Sequence, residues 1–222
     1  MLDVPSEKIS VRWLGVDERF KPLSPDILDE GRRALGLPSG YLLFVGTLEP
    51  RKNIIGLLRA YQALLRRLPD APPLLLVGRR GWLIEDTLAQ IVNLHLESRV
   101  IWREDISDEM LPVVYNGAAA LVLPSFYEGF GFPPLEAMAC GIPTVVSRRS
   151  SLPEVVGDAG LLIDPDDFED LAAALETALT DHTWRDTARR RGLERARTFT
   201  WEQTARVALA AYHMALEGLC TS

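Results

Sequence analysis

Ala120-Leu121-Val122-Leu123-Pro124-Ser125-Phe126-Tyr127-Glu128-Gly129-Phe130-Gly131-Phe132-Pro133-Pro134-Leu135-Glu136 passes from an unbroken apolar run, through a glycine-containing loop, into the opening of a helix. Four apolar residues without alternation suit a strand covered on both faces, and Pro124 stops it. Gly129 and Gly131 let the main chain pass close to a ligand. Pro133 and Pro134 pre-set backbone angles where the helix starts. The free N–H groups of that first turn point back at the loop and, with the helix dipole, make an anion site suited to a phosphate. Two carboxylates bracket the loop. Glu136, in the first turn, is placed to accept from a pair of sugar or ribose hydroxyls, and Glu128 can face a reacting sugar. Taken singly, a Gly-x-Gly before proline is often only a tight turn, and a first-turn glutamate only a dipole partner. Together, after a strand in a parallel sheet, they point to function.

The same strand-then-helix pattern extends in both directions. Tyr41-Leu42-Leu43-Phe44-Val45 is followed by Gly46-Thr47-Leu48-Glu49-Pro50-Arg51-Lys52-Asn53, after which Ile54, Leu57, Leu58, Tyr61, Leu65 and Leu68 recur at helical spacing. Further strands are expected at Leu74-Leu75-Leu76-Val77, Val100-Ile101-Trp102, Pro143-Thr144-Val145-Val146 and Gly160-Leu161-Leu162-Ile163. Helices are expected between them near 83–94, from Ser107 to about 116, and from about 134. Asp166 with Glu169 resembles a capping box opening a later helix. Right-handed crossovers make this an α/β protein, a Rossmann-like doubly wound parallel sheet of about six strands with C-terminal helices. Residues 1–39 read as an interdomain linker with one edge strand at Ile9-Ser10-Val11-Arg12-Trp13 and a short helix over 26–35. Residues 40–199 form the sheet domain, and 200–222 a final helix. In such sheets ligands bind outside the carboxyl ends of the strands, where Arg51 and Lys52 would meet two phosphates.

Composition narrows the function. The 222 residues are 47% hydrophobic and 25% charged with net charge −7, ordinary for a globular protein and without the basic stripe of a nucleic-acid binder. The cluster Arg185, Arg189, Arg190, Arg191, Arg195 and Arg197 reads as the solvated face of a helix, with Asp186 and Glu194 interspersed. Cys140 and Cys220 have no metal-ligand spacing, and a cytoplasmic location is expected. Neither Gly-x-Gly-x-x-Gly after a strand nor a P-loop occurs, which disfavours dinucleotide oxidoreductases and P-loop NTPases. His95, His182 and His213 fall in expected helices, and no nucleophile elbow supports a catalytic triad.

Glu128 to Glu136 matches the Glu-x7-Glu motif, and the chain from about Ile9 to Tyr212 resembles the C-terminal, donor-binding domain of retaining glycosyltransferases with the GT-B fold (family 4, or group 1). The 46–53 loop looks like the phosphate-binding loop of the mannosyltransferase-like branch. Leu76-Val77-Gly78, Ala139-Cys140-Gly141-Ile142-Pro143-Thr144-Val145-Val146 and Leu152-Pro153-Glu154-Val155-Val156-Gly157-Asp158-Ala159-Gly160 support the match. The resemblance implies a nucleotide-diphosphate sugar as donor, with GDP-mannose favoured and UDP-sugars open, and no cofactor or metal. Lys52 and Arg51 would hold the diphosphate, Glu136 the ribose hydroxyls, and main chain through Gly129, Phe130, Gly131, Phe132 and Leu135 the sugar and phosphates. Glu128 would lie by the transferred sugar, and the base would rest near Trp102, Arg103 and the residues to Asp105. Thr47 stands where many relatives carry arginine, which leaves the second cation to Arg51.

The resemblance covers one of the family's two domains. Val4-Pro5-Ser6-Glu7-Lys8-Ile9 looks like the interdomain connection, the acceptor-binding N-terminal domain is missing, and the fragment alone is expected to transfer little or nothing. Any peripheral membrane association would come through the missing domain. Two readings compete. A stand-alone nucleotide-binding or interaction module would have no chemical reason to keep Glu128, Glu136 and Lys52 together. A sugar-nucleotide epimerase of the same fold would want a histidine near the sugar pocket.

Overall fold

A computed structural model describes Ile9 and residues 11–220. Six strands form one all-parallel sheet: β1 (Leu42–Val45), β2 (Leu74–Val77), β3 (Val100–Arg103), β4 (Ala120–Leu123), β5 (Thr144–Ser147) and β6 (Leu161–Ile163), in the order β3-β2-β1-β4-β5-β6. Every residue of β2, β4 and β5 is buried, as unbroken apolar runs between two helical layers require. The edge strands β3 and β6 are only partly covered.

Right-handed crossovers put α2 (Ile54–Arg67) and α3 (Ile84–Asn93) on one face, where α7 (Phe168–Thr180) packs against α2. On the other lie α4 (Leu111–Asn116), α5 (Phe132–Ala139) and α6 (Leu152–Val156). There α1 (Pro25–Leu35) packs on α4, and α8 (His182–Ala196) packs on α5. The last helix, α9 (Trp201–Cys220), leaves Trp201, Leu209 and Tyr212 more than half exposed. Among the described residues no helix is long and apolar enough to cross a membrane.

Several local expectations are corrected. Ile9 and Val11 to Trp13 form no strand, while Ser10 and the proposed connection up to Lys8 lie outside the described residues. Of the alternating apolar residues only Trp13 packs: it stacks on Phe199 at 5.1 Å, and Thr204 Oγ1 donates to Trp13 O at 2.8 Å, while Ile9 and Val11 are exposed. The helix expected from Ser107 starts at Leu111, because a turn closed by Met110 N on Ser107 O comes first and Pro112 sets the opening turn of the helix. Asp167, not Asp166, caps α7 by accepting from the amides of Glu169 and Asp170, while Asp166 pairs with Arg149. His95 follows α3 at φ 55 and is not helical. The arginine cluster is not uniformly solvated. Arg191 pairs with Asp158 at 3.2 Å, and Arg195 donates to the carbonyls of Glu154 and Val155 at the end of α6 while lying over the Trp13 and Phe199 rings.

Candidate functional site

The strand order reverses between β1 and β4, which are neighbours although β2 and β3 intervene in sequence. The crevice outside their carboxyl ends is where open sheets of this kind bind ligands. Its walls are the loops 46–53 and 124–131, stitched together by Phe126 N donating to Arg51 O at 2.8 Å. A 3-10 turn, Pro50–Lys52, ends at Asn53, whose left-handed backbone (φ 55) reverses the chain into α2. The Asn53 side chain accepts from Gly56 N at 3.2 Å and donates to Pro165 O at 2.7 Å, which locks the turn and aims Lys52 inward.

Lys52 Nζ lies 2.6 Å from Glu128 Oε1, with both side chains only 8% exposed. Ser125, fully buried, donates to the same oxygen at 2.7 Å. Arg51 reaches Glu128 Oε2 at 3.2 Å and the Tyr127 carbonyl at 3.0 Å, and its Nε is 2.5 Å from Glu49. The two cations expected to wait for phosphates are therefore already matched by two carboxylates. The cause is desolvation: an ammonium withdrawn this far from water needs a counter-charge whether or not a ligand is present.

Beyond Glu128 the loop carries a row of donors. Among the described residues, the amides of Gly129, Phe130, Gly131 and Phe132 reach no protein acceptor, whereas that of Glu128 is bonded to Ser150. They lead directly into α5, so donors and helix dipole face the same crevice. The two glycines differ in what they do. Gly131 sits at φ 112, and a Cβ there would lie 2.9 Å from Leu152 Cδ2, so the fold itself demands glycine. At Gly129 the backbone is not left-handed and a Cβ would meet nothing within 4 Å. Gly131→Ala is therefore expected to destabilise the chain by about 1–2 kcal/mol in urea titration. Gly129→Ala should stay within about 0.5 kcal/mol of the wild type while weakening any ligand that approaches those amides.

Glu136 is half-buried, and its Oε2 accepts from the Tyr115 hydroxyl at 2.5 Å. Burial pushes its carboxyl above the usual carboxylate range, against the opposing pull of Tyr115 and the Arg19 guanidinium. Burial, reinforced by Glu136, holds the Tyr115 phenol well above its ordinary value, so it remains a donor at neutral pH. A carboxyl raised on folding favours the native state below its unfolded value, and that contribution is lost as pH rises through the folded value. Glu136→Gln should accordingly unfold at higher urea than the wild type at neutral pH, and the gain should vanish as pH falls below the ordinary carboxylate range.

Other sequence-expected residues are less centrally placed. Thr47 is exposed just past β1. The Phe130 and Phe132 rings pack edge to face at 5.1 Å, and Phe130 also meets Phe199. Leu135 belongs to the core: its side chain is fully buried, and its amide donates to Gly131 O at 3.4 Å. Trp102 Nε1 donates to Gly78 O at 3.0 Å beneath the Arg80 guanidinium. Arg103 is held by both Asp105 oxygens (2.6 and 2.9 Å) and by Leu35 O (2.7 Å), so its charge is spent within the chain. Sequence reasoning missed Ser125, Glu49, Tyr115 and Ser150. Ser125 and Glu49 lie inside the two stretches singled out, three residues before Glu128 and two before Arg51.

Comparison with known proteins agrees with this fold. Residues 30–197 match the family described as Glycosyl transferases group 1. The chain is 42% identical over 219 residues to the O-antigen chain mannosyltransferase B of Escherichia coli, covering 96% of this chain and 56% of that protein. It superposes on a sucrose-phosphate synthase from Thermosynechococcus elongatus with a TM-score of 0.76 at 30% identity, over 94% of this chain and 52% of the other. Anabaena HepE in complex with UDP-glucose shares the fold, with a TM-score of 0.76 at 22% identity over 91% and 56% of the two chains. In each case the chain spans little more than half of the other protein.

Proposed function

Because the chain belongs to the group 1 glycosyl transferases, we propose that it is the donor-binding domain of a hexosyltransferase and grips the diphosphate of a nucleotide sugar at the β1–β4 crevice. The observation that carries this is the buried Lys52–Glu128 pair set beside the unpaired amides of 129–132. Three or four convergent N–H donors and one desolvated ammonium match a diphosphate in charge and shape. Lys52 has two further N–H donors to offer without releasing Glu128. Arg51, 44% exposed, can swing from its carboxylates to the second phosphate. Glu136, held by Tyr115, takes the ribose hydroxyls. The base lies toward the end of β3 against main chain near Trp102 and Arg103, whose own side chains are engaged.

The transfer itself is retaining and metal-independent in this reading. The bond from the sugar's anomeric carbon to the phosphate oxygen breaks, and the acceptor oxygen bonds to that carbon on the same face. The acceptor proton passes to the departing phosphate. Protein side chains position the partners and stabilise developing charge. Glu128, with both oxygens bonded, acts through its charge and by orienting Lys52, not as a nucleophile. The acceptor hydroxyl is presented by a second domain facing the carboxyl edge of the sheet. In this reading α9, which leaves Trp201, Leu209 and Tyr212 exposed, links the sheet domain to that partner, and the donor domain taken by itself binds donor and transfers little.

The mannosyltransferase relative favours a mannosyl donor, for which the likeness of the 46–53 loop suggests GDP-mannose, and the UDP-glucose complex of HepE makes a UDP-sugar the alternative. A thermal-shift panel of GDP-mannose, UDP-glucose, UDP-N-acetylglucosamine and ADP-glucose decides between them. A donor at a hundred times its dissociation constant adds about 2.7 kcal/mol, and GDP-mannose should give the largest rise in Tm. If no nucleotide sugar raises Tm, the reading fails.

A further inference from the structure

Ser150, in the loop after β5, is one of four non-glycine residues with positive φ among those described (φ 59). A left-handed backbone is unfavourable for a residue with a Cβ, and it persists where the surroundings require it. The requirement here is visible. Ser150 Oγ accepts from Glu128 N at 3.2 Å and donates to Glu128 O at 2.5 Å, closing a ring on the main chain of the residue that opens the glycine loop. Its neighbour Ser151 occupies the N-cap of α6, where a serine ordinarily accepts from an amide of its own helix. It makes no such bond. Its hydroxyl turns instead to Phe130 O at 2.7 Å, with Glu128 O the longer alternative at 3.1 Å. One serine accepts strain and the other leaves its helix uncapped, and both hydroxyls go to residues 128–130.

We propose that Ser150 and Ser151 are positioning residues that fix the main chain of 128–130, so that the free amides of 129–132 point into the crevice before a donor arrives. The inference rests on the reading of this loop as a diphosphate cradle and extends it. Donors already aimed at the ligand lose no freedom on binding it. With the carbonyls of Glu128 and Phe130 tied back, the two peptides they belong to present only their N–H groups, those of Gly129 and Gly131.

Ser150→Gly separates this role from plain structural support. Glycine accepts φ 59 without strain, so the variant removes the hydroxyl while relieving the backbone. A residue that merely stabilised the fold would lower Tm when lost. Here Tm is expected to hold or rise, while hydrogen exchange in the ligand-free chain quickens about fivefold, the worth of one ordinary hydrogen bond, at Phe126 and Glu128, the bonded amides of 125–134. Affinity for GDP-mannose should fall by a similar factor. Ser151→Ala should show the same loosening, and Ser151→Thr, which keeps the hydroxyl, should restore it. This second pair carries the test if Ser150→Gly does not fold. Unchanged exchange at 125–134 in both Ser150→Gly and Ser151→Ala overturns the proposal, whatever the donor does. If the wild-type chain binds no nucleotide sugar but the variants still loosen 125–134, the donor reading falls and the positioning role stands.

Discussion

Glu128→Gln is expected to lower the unfolding free energy by about 3 kcal/mol, read as a fall in Tm of about 10 °C for a chain of this size. Glutamine keeps the shape of the side chain but leaves the Lys52 ammonium, 8% exposed, without its counter-charge. Ser125 would then donate to a neutral amide oxygen instead of a carboxylate. The penalty comes from the orphaned charge and not from the worth of the pair, so removing both charges should restore much of the loss. Lys52→Met combined with Glu128→Gln is therefore expected to be more stable than Glu128→Gln alone, and a double-mutant cycle in urea measures the coupling. Equal losses in the single and double variants would show that Lys52 reaches water in solution.

Lys52→Ala should weaken nucleotide-sugar binding by roughly ten- to a hundredfold, since one charge-assisted hydrogen bond is worth about 1.5–3 kcal/mol. Calorimetric titration with GDP-mannose, run well below the variant's Tm, separates lost affinity from lost fold. Arg51→Ala should cost less, because Arg51 is 44% exposed and its charge is screened by water before any ligand binds. A Lys52→Ala chain that binds as tightly as the wild type would remove Lys52 from the donor site.

Much of the architecture was legible because it rests on local signals. The apolar runs at 42–45, 74–77 and 120–123 lack alternation, and a sheet buried on both faces is the state that suits such runs. Gly131 followed by Phe132-Pro133-Pro134 marked the start of α5 for equally local reasons. Signals failed where tertiary contacts set the pattern. The alternation at Ile9 to Trp13 looked like a strand, but Trp13 is apolar because it stacks on Phe199. The five-residue α6 is too short to leave a periodicity.

The site divides in the same way. Lys52, Glu128 and Glu136 could be named from motif spacing. That Lys52 and Glu128 would neutralise one another could not, because 76 residues separate them and only the β1–β4 pairing brings their loops together. Tyr115 follows Val113 and Val114 with no neighbouring polar signal, and its hydroxyl acquires a role only where α4 packs beside α5. The hydroxyls of Ser150 and Ser151 sit in a serine-rich turn of the kind found in any loop. Their partners lie 21 and 22 residues away.

Amide chemical shifts of the chain titrated with GDP test most directly whether the opening of α5 holds the diphosphate. The largest perturbations should fall on Gly129, Phe130, Gly131 and Phe132, and Lys52→Ala should diminish them without moving the resonances of the opposite edge of the sheet. Perturbations concentrated elsewhere, with those four amides unmoved at saturation, would contradict the account.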